Sequence, residues 1–191
     1  MRKLIYSMMV SLDGFTEGPN RNINWHIIDE ELHQYINDQQ AEVDTFLYGR
    51  RMYEIMASYW PTADTDPSNP GFVREFARIW KNMPKIVYSK TLEEVEWNSR
   101  LVREVNVGEF QRLKAQSGKT FSVGGATLAA TFIKQNLIDE YQLFVQPIVV
   151  GSGTSFFPPL DNMIDLRLVE THRFGCGVVL LRYQRKEPIN N

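Results

Sequence analysis

The sequence predicts an α/β fold: a mixed, mostly parallel sheet with an antiparallel C-terminal edge and helices on both faces. Three observations predict it. Short apolar runs alternate with helical patterns between residues 44 and 151, as expected of parallel strands joined by crossover helices. Two strand-like runs close the chain, "IDLRLVETHRF" and "VVLLRYQRK", with Gly175-Cys176-Gly177 between them as a hairpin turn, so this edge is antiparallel. The 191 residues are 43% hydrophobic and 23% charged, which fits a single domain over 1–191 with a substantial core and argues against disorder.

Each element has its own signal. Residues 3–11, rich in Ile, Val and Met, read as the first strand. Arg2 and Lys3 ahead of it resemble the start of a secretory signal. The apolar stretch is short, however, carries Tyr6 and Ser7, and reaches Asp13 without a small-residue cleavage site, so a strand explains it better. "DGFTEGPNRN" (13–22) is a loop by its Gly, Pro and Asn content. Residues 30–41 form a helix: Asp29 caps it, Glu30 and Glu31 suit the first turn, and Leu32, Tyr35 and Ile36 share a face.

"DTFLYG" (44–49) is a short strand and "RRMYEIMASY" (50–59) the helix after it. "WPTADTDPSNPG" (60–71), with three prolines, reads as a surface loop. Residues 72–82 place Phe72, Phe76 and Ile79 or Trp80 at helical spacing. A strand at 84–89, a helix at 106–116 and a strand at 119–125 follow. Residues 126–137 form a helix with Ala129, Phe132, Ile133 and Leu137 on one side, and residues 139–151 a long strand.

Several function classes drop out. A formal net charge of -2 gives no support to a nucleic-acid partner. No segment approaches the roughly 20 apolar residues of a membrane span. The single cysteine, Cys176, forms no internal disulfide and reads as a small buried residue, from which a reducing, cytoplasmic setting is expected. The G-x-G-x-x-G dinucleotide fingerprint is missing its third glycine. "SGKT" (117–120) resembles the end of a phosphate-binding loop, but position 113 is Leu113 and the stretch precedes a strand. His26, His33 and His172 lack metal-ligand spacing, so no metal is expected. There is no G-x-S-x-G elbow.

What remains is "YGRRMYE" (48–54) and "VGGATL" (123–128), each at a strand-to-helix junction. In open α/β sheets, ligands bind at the carboxyl ends of the strands. A helix start presents free N–H groups and partial positive charge, which suits phosphate, and glycine lets the phosphate approach them. Arg50 and Arg51 add forked donors that match phosphate oxygens. Either junction alone reads equally well as a tight turn with a solvated helix start.

The ordered set "YSMMVSLDGF", "FLYGRRMYE", "PKIVYSK", "FSVGGATL" and "IDEYQLFVQPIVVGSGTSFFP" resembles the dihydrofolate reductase-like family, in particular its branch of riboflavin-biosynthesis reductase domains, over residues 3–185. The resemblance implies that family's three-layer fold and NADPH as cofactor. It implies that Gly124, Gly125, Ala126, Thr127 and Leu128 take the pyrophosphate and that Gly49 and Arg50 cover it from the other side. Where the family often has Thr, this chain has Met52, which leaves backbone N–H donors there, with Arg51 as a compensating charge. Ser89 and Lys90 fall where the family approaches the adenosine 2′-phosphate.

For an acid near the substrate, the resemblance points to Asp13 and to the first helix, where Glu30 is the candidate between Asp29 and Glu31. Turn formation and helix capping are the competing readings. The implied activity is hydride transfer to a small pterin- or flavin-precursor-like heterocycle, in a homodimer. The alternative is a nucleotide-binding or regulatory module that keeps the fold without turnover.

Overall fold

The structure, a computed structural model, describes residues 1–186. Its first strand, β1 (Leu4–Ser11), lies inside an eight-stranded sheet. Then come a short β2 (Phe15–Glu17), α1 (Glu30–Gln39), β3 (Val43–Gly49), α2 (Arg50–Ala63) and α3 (Gly71–Asn82). The middle of the chain supplies β4 (Lys85–Tyr88), β5 (Ser99–Val102), α4 (Val107–Ala115), β6 (Thr120–Gly124) and α5 (Ala126–Lys134). The last third holds β7 (Glu140–Gln146), β8 (Thr154–Ser155), β9 (Leu166–Arg173) and β10 (Val179–Arg185).

The sheet order is β5-β4-β3-β6-β1-β7-β10-β9, with β2 and β8 paired in a separate two-stranded ribbon. From β5 to β7 all pairs are parallel, and β10 runs antiparallel to both β7 and β9. This is the mixed, mostly parallel sheet with an antiparallel C-terminal edge that the sequence predicts. The hairpin turn closes with Phe174 N–H on Val178 O at 2.9 Å and with Gly177 at φ 89°. Cys176 sits half-buried in it.

Helices cover both faces because the strands alternate. Leu47 and Ile86 point to the core shared with Phe110 of α4 and Phe132 of α5. Their neighbours Phe46, Tyr48 and Val87 point the other way, to Trp80 and Phe76 of α3. A third cluster joins Leu32 of α1 to Phe144, Phe174 and Leu180. Among the described residues no helix is long and apolar enough to cross a membrane.

The structure corrects three element limits and adds three strands. The loop expected at 60–71 begins only after Ala63, because α2 runs on through Trp60 and Pro61. Trp60 packs edge-on against Phe76 at 4.5 Å, and Lys81 reaches the Asp64 carboxylate at 2.6 Å. This packing outweighs one lost backbone donor near a helix end. The helix expected to reach residue 137 stops at Lys134, where Asn136 turns left-handed (φ 55°) and Leu137 N–H reaches back to Phe132 O at 2.9 Å. The strand expected to reach 151 ends at Gln146, just before Pro147, which has no N–H for a ladder. β2, β5 and β8 are additional strands.

Candidate functional site

Strands β4, β3 and β6 are parallel neighbours, so their carboxyl ends lie side by side. Two of them pass directly into helices. Gly49 ends β3 and is the N-cap of α2; Gly125 is the N-cap of α5. Neither helix start has a side-chain cap, which leaves leading N–H groups available at both. Between them opens a cleft of about 850 Å³.

The paired glycine meets two separate demands. A Cβ on Gly124 would stand 3.0 Å from the Tyr48 ring of the neighbouring strand. Gly125 adopts φ 93°, which side chains resist, and its Cβ position lies 3.3 Å from Met52 Cβ. A side chain at Gly125 would therefore press on Met52 at the start of α2. Beneath them, Gly125 N–H donates to the Met8 thioether at 3.4 Å.

All eleven residues expected at a cofactor site line this one cleft: Gly49, Arg50, Arg51, Met52, Ser89, Lys90, Gly124, Gly125, Ala126, Thr127 and Leu128. Their charges are deployed unequally. Arg50 is exposed, bonded to Glu54 at 2.9 Å and to Thr91 Oγ1 at 3.0 Å. Arg51 is paired across the cleft with Glu17 of β2. Lys90 is exposed and stands in no ion pair among the described residues. Ser89 is buried; its hydroxyl accepts from Thr91 N–H at 3.2 Å and Leu92 N–H at 3.0 Å, folding the turn that presents Lys90 and Thr91.

The two acids expected near the substrate, Asp13 and Glu30, stand outside this cleft. Asp13 accepts from Ser11 Oγ at 2.7 Å, Val150 N–H at 3.1 Å and Gly151 N–H at 2.7 Å. These bonds, Ser11 foremost, hold its carboxyl down at about 2, so it is an ionised staple of the loop after β7. Glu30 is exposed on the first turn of α1, where Asp29 provides the cap to Leu32 N–H at 2.9 Å.

The cleft also contains residues that sequence reasoning missed, among them Glu17, Arg21, Thr91 and Thr154. Glu17 and Arg21 belong to the segment read as a plain loop; only their charge marked them. Thr154 arrives from a two-residue strand with no pattern to read.

The sheet, its two glycine-capped helix starts and the cleft between them define an α/β protein of the dihydrofolate reductase-like class. The family model described as the RibD C-terminal domain matches residues 2–180, and the chain belongs to that family. YyaP of Bacillus subtilis strain 168, an uncharacterized protein, is 32% identical over 183 residues, which is 95% of this chain and 94% of YyaP.

Two solved structures share the fold at low identity. The diaminohydroxyphosphoribosylaminopyrimidine deaminase/5-amino-6-(5-phosphoribosylamino)uracil reductase of Thermotoga maritima superposes with a TM-score of 0.65 at 16% identity, over 97% of this chain and 57% of that one. The dihydrofolate reductase of Enterococcus faecalis, solved with NADP(H), gives 0.63 at 14% identity over 97% of both chains.

Proposed function

We propose that this protein is an NADPH-dependent reductase of a small pterin- or flavin-precursor-like heterocycle, acting in the cytoplasm as a single-domain chain. One observation carries the reading: two glycine-capped helix starts, on adjacent parallel strands, open onto one cleft beside Lys90, which stands in no ion pair among the described residues. The residues fit a dinucleotide. Gly124 to Leu128 offer backbone donors to one phosphate and Gly49 to Met52 to the other. Arg50, Lys90 and Thr91 offer charge and a hydroxyl to a third phosphate at the cleft's outer end. When bound, NADPH supplies the hydride; the chain's own part is to hold donor and acceptor together and keep water away.

A second reading, a nucleotide-binding module without turnover, has one observation in its favour. The carboxylates that line the cleft, Glu17 and Glu54, are both paired with arginines, so neither is a free acid. Loss of NADPH absorbance with a panel of pterins and flavin precursors separates the two. Turnover with any of them supports the reductase, and binding of NADPH without turnover across the panel supports the module. We also propose a homodimer, with the exposed Leu168 and Val169 of the edge strand β9 at its interface. Sedimentation of the purified chain as a monomer would remove that part.

A further inference from the structure

The two arginines at the start of α2 are held in different ways. Arg50 pairs with Glu54 one turn along its own helix, with both side chains about half exposed (55% and 46%). Such a pair stabilises little and exchanges readily. Arg51 instead crosses to Glu17 of the β2–β8 ribbon, whose side chain is only 17% exposed. Glu17 is fixed from behind. Its other carboxylate oxygen accepts from Thr154 Oγ1 at 3.3 Å, and Glu17 and Thr154 are partners in the ribbon. Gly153 passes so close that a Cβ there would stand 1.8 Å from Glu17 O. The carboxylate is thus built into the wall opposite an uncapped helix start, at hydrogen-bond range from the arginine expected to meet phosphate.

We propose that Glu17 is a specificity-determining residue of the cleft. Its carboxylate stands in for phosphate on Arg51, and a ligand must displace it. This rests on the reading of the cleft as a dinucleotide site. A singly charged group arriving at Arg51 replaces one anionic contact with another and gains little. A pyrophosphate brings at least two negative charges to Arg51 and the adjacent N–H groups together, and so wins the exchange. Glu17 therefore weakens binding of every anion and weakens it most for the least charged, which selects for a diphosphate linkage. It also spares Arg51 from standing unpaired in a half-buried position before a ligand arrives.

Calorimetric titration of Glu17→Gln tests this, with NADPH and inorganic pyrophosphate as probes. Glutamine keeps an oxygen for Thr154 but not the charge. Both probes are expected to bind about tenfold tighter, the size of one charge-assisted contact regained. Dimethyl phosphate, a singly charged anion expected to lose the exchange with Glu17 in the parent, should become a detectable ligand. Thr154→Val, which loosens Glu17 without touching its charge, should shift affinity the same way by less. Arg51→Gln should weaken both probes, and adding Glu17→Gln to it should then tighten them by less than it does in the parent. If NADPH fails to bind either form while pyrophosphate tightens in Glu17→Gln, the displacement by Glu17 stands and the cofactor reading falls. Unchanged or weaker pyrophosphate binding in a folded Glu17→Gln protein, or no binding at all, overturns the proposal.

Discussion

At the scale of single residues, Gly125 and Lys85 show how little freedom the fold leaves at strand ends. Gly125 combines φ 93° with ψ 123°, a region in which a residue with a Cβ is strained by about 1–3 kcal/mol. Gly125→Ala should lose stability of that order in urea denaturation and push Met52 away, weakening NADPH binding. Parent-like stability and affinity would show that the turn tolerates a side chain. Lys85 is 2% exposed at the start of β4, and its ammonium donates to the carbonyls of Met83 and Trp97 at 2.8 Å each and to that of Trp80. Lys85→Met strands these acceptors, and a loss of about 2–3 kcal/mol is expected in the same assay.

Asp13 gives a pH signature at this scale. Its folded carboxyl titrates at about 2, below the usual 3.8, with the Ser11 hydrogen bond as the first cause. A depressed folded value means that the unfolded chain binds the proton first. The contribution is therefore complete above pH 4 and is lost as pH falls toward 2. Asp13→Asn should flatten that acid limb in a series of thermal melts between pH 2 and 5, while a parent-like slope would place the titration elsewhere.

At the scale of elements, what the sequence made legible followed from pattern length. β1, β3, β6, α3 and α5 carry apolar residues at a clear period, and their positions hold to within a few residues. β5 carries Ser99 and Arg100 beside Leu101 and Val102, and as an edge strand it needs no alternation, so nothing announced it. β2 and β8 are three and two residues long, too short for any period, yet they bring Glu17 and Thr154 to the cleft. The candidates around Gly49 and Gly124-Gly125 were readable because glycine at a strand end has a local cause, whereas Ser89 and Lys90 followed from the family resemblance alone and Thr91 from neither. Glu17 was not readable, because what places it is a ribbon formed by residues over 130 positions apart, and Arg21 follows it in a short 3-10 turn, Pro19–Arg21. Gly153→Ala should break that ribbon by collision with Glu17 O. Hydrogen exchange should then quicken at residues 14–17 and 154–156 while β1 and β6 stay protected; unchanged exchange would mean that the ribbon bends around the methyl group.

At the scale of the whole molecule, the arrangement divides labour between two ends of the sheet. The carboxyl ends of β3, β4 and β6 carry the cleft, and the antiparallel β10–β9 edge extends the sheet at its other side. Among the residues lining the cleft, Arg21, Arg50, Arg51 and Lys90 outnumber Glu17 and Glu54, four charges to two. An anionic ligand is favoured by that excess, and one with an extra phosphate near Arg50, Lys90 and Thr91 is favoured further. The most direct measurement is a pair of titrations, NADPH and NADH, followed by quenching of the tryptophans at low and high salt. One charge-assisted contact to the 2′-phosphate should make NADPH bind roughly ten- to a hundredfold tighter at low salt. Added salt should erode the difference, because Arg50 and Lys90 are exposed. Equal affinities at low salt, or no binding of either dinucleotide, would contradict the assignment of this cleft to NADPH.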